Sequence, residues 1–472
     1  MVRLYKTLEN IVKKYVAKPL VVGGLVGVLG FGNLVYGNEY NNEILVNTYT
    51  ENYQGMSDIA MDEKGNVIIT WESLYQDGSL LGVYAQRFNK EMKTDEQLGE
   101  EIQVNSYTEN HQHKPKIAID KEGNFVITWE SQADWRIHAQ RFNKDGTPIE
   151  NEFRVSPTES EQRHPRIAMD GQGNFLVALR YGQYGPAYAQ RFDRNGDKRG
   201  EEFGIDGYES RIAMDPNGNF ITTGAGDGAL YAQRYDRNGN TLGDSLLVSL
   251  SKADGSDPEI GDSSVALNDN EFIVTWKDYG GVYARRFDKD GSEIGEEFQV
   301  NTCTEEDQIL PDVAMDKEGK FVITWTSWNG SAAEIYAQRF DKDRNKIGKE
   351  FRVNNYSLEA IHPPLIEGYP GNSSIVMNYY NSDFIISWEG AGKEDDYGIY
   401  AKKFSFYNPA DLDKDGYVNF KDFAKFANDW QKTREGQDLE EGEYLIGDIN
   451  KYGKVDYSDL ERLINNWLAY YP

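Results

Sequence analysis

The residues best equipped for chemistry lie near the C-terminus, in the run Asp411-Leu-Asp413-Lys-Asp415-Gly416-Tyr417-Val-Asn419-Phe-Lys-Asp422. A calcium ion is held by about six to eight oxygens, and a loop with carboxylates at positions 1, 3 and 5 and glycine at 6 can wrap one. The pattern recurs as Asp448-Ile-Asn450-Lys-Tyr452-Gly453-Lys454-Val-Asp456-Tyr-Ser-Asp459, 37 residues later at every landmark (Asp411 to Asp448, Asp422 to Asp459, Trp430 to Trp467). Each loop runs into a helix-period segment, FKDFAKFANDW or YSDLERLINNW, so the tail reads as a duplicated loop-helix unit.

This duplication, with Asp rather than Glu at position 12, resembles the dockerin family over residues 407–472. The resemblance implies a small α-helical domain folded by two calcium ions, which plugs into a cohesin-like or other secreted partner. It implies first-loop ligands at Asp411, Asp413, Asp415, the Tyr417 carbonyl, Asn419 and Asp422. In the second loop it implies Asp448, Asn450, the Lys454 carbonyl, Asp456 and Asp459. Position 5 of that loop is Tyr452, which offers no carboxylate, so the second site is expected to be weaker or to lean on water. The positions that face the partner in that family are Phe420-Lys421 in one copy and Tyr457-Ser458 in the other; they differ, which departs from a symmetrical binding mode.

Upstream of the tail one sentence repeats: IAMD, a Gly-Asn turn, FVITW, a loop, YAQRF, an Asp-Gly or Asn-Gly turn, EFQVN. The YAQRF landmark falls at Tyr84, His138, Tyr188, Tyr231, Tyr283, Tyr336 and Tyr400, and periods near fifty with four strand-like runs indicate a β-propeller. The last unit lacks its EFQVN strand, whereas an orphan copy, Glu43 to Asn47, precedes the first. The expectation is a mainly β fold, a seven-bladed propeller over residues 38–406. Its N-terminal strand completes the last blade, and IAMD is innermost. The repeated Trp reads as an inter-blade wedge, and the recurring Arg87, Arg141, Arg191, Arg234, Arg286 and Arg339 as braces against acidic neighbours. The FNKDG, FDRNG and FDKDG segments read as two-residue hairpin turns rather than metal loops. The repeat wording also looks like repeats of large secreted and cell-surface bacterial proteins.

If the strands take that order, the loops from FVITW to YAQRF and the segments before IAMD share one face. The first set holds Tyr75, Trp135, Tyr181, Tyr184, Tyr279, Trp328 and Tyr397; the second holds His111, Gln112, His113, Gln162, His164, Gln308 and His362. Aromatic platforms amid polar groups suit sugar rings, although packing of loop on loop uses the same residues. No catalytic motif singles out a nucleophile or acid-base pair, and the 78 acidic residues supply candidates without selecting any.

Composition sets the outer limits. A formal charge of -28 excludes a basic nucleic-acid surface, and the single Cys303 cannot form a disulfide within the chain. Residues 1–37 combine a basic start with a glycine-broken apolar run, which reads as a secretory signal cleaved after Gly37. Three functions follow as alternatives: a secreted, calcium-binding recognition module for a glycan or surface protein, a polysaccharide-degrading hydrolase or lyase, and a structural cell-surface assembly protein. Carboxylates converging at the channel mouth with raised proton affinity would favour the enzyme.

Overall fold

The computed structural model describes residues 43–92, 97–183, 185–205, 207–251, 260–359, 371–391, 395, 397–407, 412, 422, 425, 426, 449, 459, 462 and 463. The chain divides into two compact units, one of residues 40–346 and 350–404, the other of 1–39, 347–349 and 405–472.

The first unit is a seven-bladed β-propeller, built as seven antiparallel sheets whose strands follow chain order from the inside out. Blade 2 shows the plan: Gln112–Ile119 is innermost, then Phe125–Ser131, Arg136–Phe142 and Pro148–Arg154. The exception is blade 7, which has Ser373–Met377, Phe384–Gly390 and Gly398–Phe404 of its own and borrows Ile44–Leu45 as its outer strand. Ile44 pairs with Ala401 and Leu45 with Tyr400, so the ring closes as the orphan strand implied. Closure leaves no open sheet at the seam.

Both faces of a strand such as Phe125–Ser131 are buried because successive side chains point to opposite neighbours. Phe125, Ile127 and Trp129 pack with Ala60, Ile68 and Val83 of blade 1, while Val126 packs with Phe175, Val177 and Leu179 of blade 3. Trp71, Trp129, Trp276, Trp325 and Trp388 are all fully buried, which makes them the wedges between blades. Each aromatic wedge of this size removes a large apolar area from water and anchors the contact energetically.

The hairpins differ from the expected two-residue turns. In blade 2 the Asn143 amide donates to the Thr147 carbonyl (3.0 Å), leaving three residues between them, and Gly146 sits at φ +81°. This is the three-residue loop with a left-handed glycine. The first Asp or Asn of each turn is occupied by its own loop: Asp193 Oδ1 accepts the amides of Asn195 (2.8 Å) and Asp197 (3.0 Å). The inner turns work alike, with Asp120 accepting from Glu122, Asn124 and the Asn124 side chain.

The recurring arginines also differ in their target. Arg141 Nη1 donates to the carbonyl of Arg194 (2.9 Å) and Arg234 Nη1 to that of Lys289 (2.8 Å), each in the turn of the following blade. Arg87 reaches Asp145 and Arg191 reaches Arg237 in the same way. The brace to the next blade is therefore a backbone oxygen, although Arg141 also pairs with Glu150 (3.1 Å) and Arg286 with Glu271, each within its own blade. A Cβ at Gly196 would lie 2.9 Å from Arg141 Nε, so the turn glycine serves the neighbouring arginine as well as the turn.

In the second unit, Asp422, Lys425, Phe426, Asp459, Arg462 and Leu463 have helical backbone. Asp422, Phe426, Ile449, Asp459 and Leu463 are buried. Among the described residues no helix is long and apolar enough to cross a membrane.

Candidate functional site

The rim that carries the loops between second and third strands also carries the segments entering the innermost strands, as the Gln132 amide bound to the His111 carbonyl (2.8 Å) and the Gln162 amide bound to the Trp135 carbonyl (2.9 Å) demonstrate. Of the expected platforms on this rim, Tyr75, Trp135 and Tyr279 are exposed, at 46%, 44% and 66%, and the entering segments add exposed Tyr107 and Tyr356. Tyr75 and Trp135 hold φ +65° and +58°, conformations that non-glycine residues rarely adopt. Arg163 lies over the Trp135 ring with its Cζ 5.2 Å from the centroid.

The other expected platforms are placed differently. Tyr181 is half-buried, its hydroxyl engaged with Ser156 (2.9 Å), Thr158 (2.9 Å) and Glu202 (2.5 Å), and its ring meets Tyr188 edge-on at 5.1 Å. Trp328 is half-buried at the end of the strand Phe321–Trp328, and Tyr397 is half-buried as well. Tyr184 and His362 lie outside the described residues.

The glutamines on the same segments prove to be wedge locks. Gln112 Oε1 accepts the Trp129 indole N–H (3.0 Å) and Gln308 Oε1 accepts that of Trp325 (2.7 Å). The sequence signal was a fixed spacing of 17 residues between that Gln and its Trp. Gln162, whose blade has Leu179 in place of Trp, turns to the Ile137 amide (3.1 Å).

Sequence reasoning also missed the Glu that follows Trp in three blades. Each innermost strand of blades 1, 2 and 3 is bulged, with Met56, Lys114 and His164 at φ +52°, +53° and +56°. A bulge leaves an amide without its ladder partner. The preceding blade supplies one: Glu389 accepts from Met56 N (2.9 Å), Glu72 from Lys114 N (2.8 Å) and Glu130 from His164 N (2.6 Å). Burial pushes the Glu72 carboxyl up to about 7 despite the Lys114 amide, with the charges of Glu389 and Glu130 adding to the rise. On the innermost strand of blade 6, Asp307–Met315, burial also raises Asp312, which accepts from Ser264 (2.6 Å) and Ile375 N (3.1 Å).

His113 and His164 are held neutral. His113 lies 3.4 Å from Glu130, yet burial and then Lys114, His111 and Arg163 push it down to about 3. Burial and four cations (Lys114, Arg180, Arg166 and Arg163) push His164 down to about 2. Among the described residues no group of His, Cys, Asp or Glu is arranged to hold a metal ion. Of the expected calcium ligands only Asp422 and Asp459 are described. Asp411, Asp413, Asp415, Tyr417, Asn419, Asp448, Asn450, Lys454 and Asp456 lie outside the described residues, as do Phe420, Lys421, Tyr457 and Ser458.

The propeller class follows from the sheets themselves. No family model and no curated protein matches the chain. Solved structures similar to it include a protein of unknown function from Dyadobacter fermentans DSM 18053 (8% identity, TM-score 0.43, covering 77% of this chain and 97% of that one). Others are the β-propeller domain of the Trilobed protease from Pyrococcus furiosus (8%, 0.44, 76% and 97%) and the Hadza microbial sialidase Hz136 (10%, 0.40, 75% and 66%). Overlap of this extent says nothing of what the present chain binds.

Proposed function

We propose that the chain is a secreted recognition module whose propeller rim binds a glycan or surface protein and whose calcium-loaded tail, dockerin-like, attaches it to a cohesin-like or other secreted partner. One observation carries the propeller half: on a single rim, Glu72, Glu130 and Glu389 are buried and engaged with bulge amides, while Tyr75, Trp135 and Tyr279 face solvent. Acids already committed to holding blades together are poor candidates for proton transfer, and solvent-facing aromatics suit stacking on sugar C–H faces.

A second reading, polysaccharide cleavage, is favoured by Glu72 itself, whose pKa of about 7 beside two further carboxylates has the character of a general acid. Incubating the full chain with a panel of polysaccharides separates the two. Protein retained without new reducing ends supports recognition. New reducing ends that vanish in Glu72→Gln establish cleavage.

For the tail, chelation of calcium is expected to lower one calorimetric transition of the full chain and leave the propeller transition in place. Asp415→Ala should weaken calcium binding far more than Tyr452→Ala, because only Asp415 brings a carboxylate. Equal losses in a calcium titration would refute that ligand assignment.

A further inference from the structure

Of the eleven large hydrophobic side chains that stand exposed among the described residues, four belong to blade 4: Tyr231, Leu242, Leu247 and Leu250. Three of these are aliphatic, and elsewhere only Ile149 is an exposed aliphatic. Leu247 and Leu250 lie on the outer strand Leu246–Leu250, 45% and 63% exposed, opposite Tyr231 and Ala229 of the third strand. Three steps on one strand thus match two on the other, a bulge that turns both leucines to the face of Tyr231.

Three departures from the repeat expose this patch. Opposite the YAQRF aromatic, blades 1, 2, 3 and 5 have Gln103, Arg154, Gly204 and Gln299, where blade 4 has Leu247. Tyr283 and Tyr336 stack on Trp276 and Trp325, whereas the strand partner of Tyr231 is Gly224. Finally, Asn105 ends its outer strand by accepting the Val83 amide (2.7 Å) and donating to the Tyr107 carbonyl (3.0 Å), as Asn301 and Asn354 do in their blades. Ser249 stands there in blade 4, and the strand runs on to Leu250, with the Ser251 amide donating to the Gly228 carbonyl (2.8 Å).

Charge selects what covers the patch. At a net charge of -28, two copies of the chain repel over most of their surface. Every other outer strand carries or follows a glutamate at one equivalent position (Glu43, Glu101, Glu152, Glu202, Glu297 and Glu350), but in blade 4 that position is Ser245 and Leu246 to Leu250 hold no charge. This is the outer edge at which a second copy meets leucine instead of like charge.

We propose that the outer edge of blade 4 is where two copies of this chain associate, about a two-fold axis between Val248 and Ser249 that sets Leu247 of each copy against Leu250 of the other. Such a contact is self-complementary and closes at two subunits. The bulge blunts the free edge for ladder pairing, so leucine and tyrosine side chains make the contact. Stable interfaces bury about 800 Å² on each partner, and a five-residue edge supplies only part of that. The dimer is therefore weak and concentration-dependent. This inference is independent of what the rim binds.

Sedimentation velocity of the full chain from low micromolar to submillimolar concentration tests it, with Leu247→Glu, Leu250→Glu and, away from the blade 4 edge, Tyr279→Ser. The parent should pass from monomer to dimer as concentration rises. Each leucine variant should weaken the dimer by about ten- to hundredfold, and Tyr279→Ser should leave the equilibrium unchanged. Both leucine variants should melt like the parent monomer, because the side chains they replace are exposed. A chain that stays monomeric throughout overturns the proposal, as does a dimer indifferent to both leucines or one weakened equally by Tyr279→Ser. Leucine variants that melt well below the parent would also overturn it, since the leucines would then be packing the blade.

Discussion

Blade 6 and blade 4 share the run of four successive strands, to which blade 6 adds Leu358–Glu359, and have opposite interiors. In blade 6 Trp325 fills the inter-blade space and Gln308 holds its indole. In blade 4 the corresponding residue is Gly224, and the chain itself fills the space: a Cβ at Gly207, which has φ +84°, would lie 2.4 Å from the Gly224 α-carbon. Backbone against backbone replaces a side-chain wedge, and the apolar cluster there has Phe220 and Tyr235 as its largest members. The lesson is that the repeat fixes the seat between blades, and that either a side chain or the backbone can fill it.

The largest expected effect tests the wedge. Trp325→Ala should cost about 4 kcal/mol and Leu179→Ala about 2.5 kcal/mol in urea unfolding. Equal losses would show that the two sectors are packed alike. Next, Gly207→Ala should cost about 2–3 kcal/mol, because it combines left-handed strain with a clash, whereas Gly182→Ala, at φ +64° but with open space around it, should cost about 1 kcal/mol. Similar values would mean that the close approach at Gly224 does not matter.

A third prediction uses pH. Glu72 has its folded pKa near 7 against an ordinary 4.5, so the folded state binds the extra proton between those values. Its contribution is full below pH 4.5 and is lost as pH rises through 7. Glu72→Gln should match the parent at pH 5 and exceed it by about 2 kcal/mol at pH 8. His113 and His164 act oppositely: held down at about 3 and 2, they lose stability for the fold as pH falls below 6.5. His164→Gln should therefore flatten the acid limb of a melting-temperature profile, and an unchanged limb would exclude the histidine. The smallest effect is expected from Gln308→Ala, about 1–2 kcal/mol for leaving the Trp325 indole unsatisfied.

Much of this architecture was legible because a repeat states its own period. Seven YAQRF copies and one displaced EFQVN strand specify both blade number and seam, and the alternation in Phe125–Ser131 assigns faces to neighbours. The failures share a cause. The acceptor that Arg141 finds in the next blade is a carbonyl, and the partner of Glu72 is an amide freed by a bulge at Lys114; backbone atoms leave no mark in a sequence. Tyr181 looked like a platform because its hydroxyl partners, Ser156, Thr158 and Glu202, come from separate segments.

The pairing of Ile44–Leu45 with residues 400 and 401 has a meaning for how the molecule is made. The closing strand is among the first parts of the propeller to leave the ribosome, yet its partner follows about 350 residues later. At roughly 5–20 residues per second that is a wait of roughly 20–70 s, during which a sticky sheet segment has nothing to pair with. A premature stop before residues 400 and 401 would leave Ile44–Leu45 without its partner and the seam unclosed.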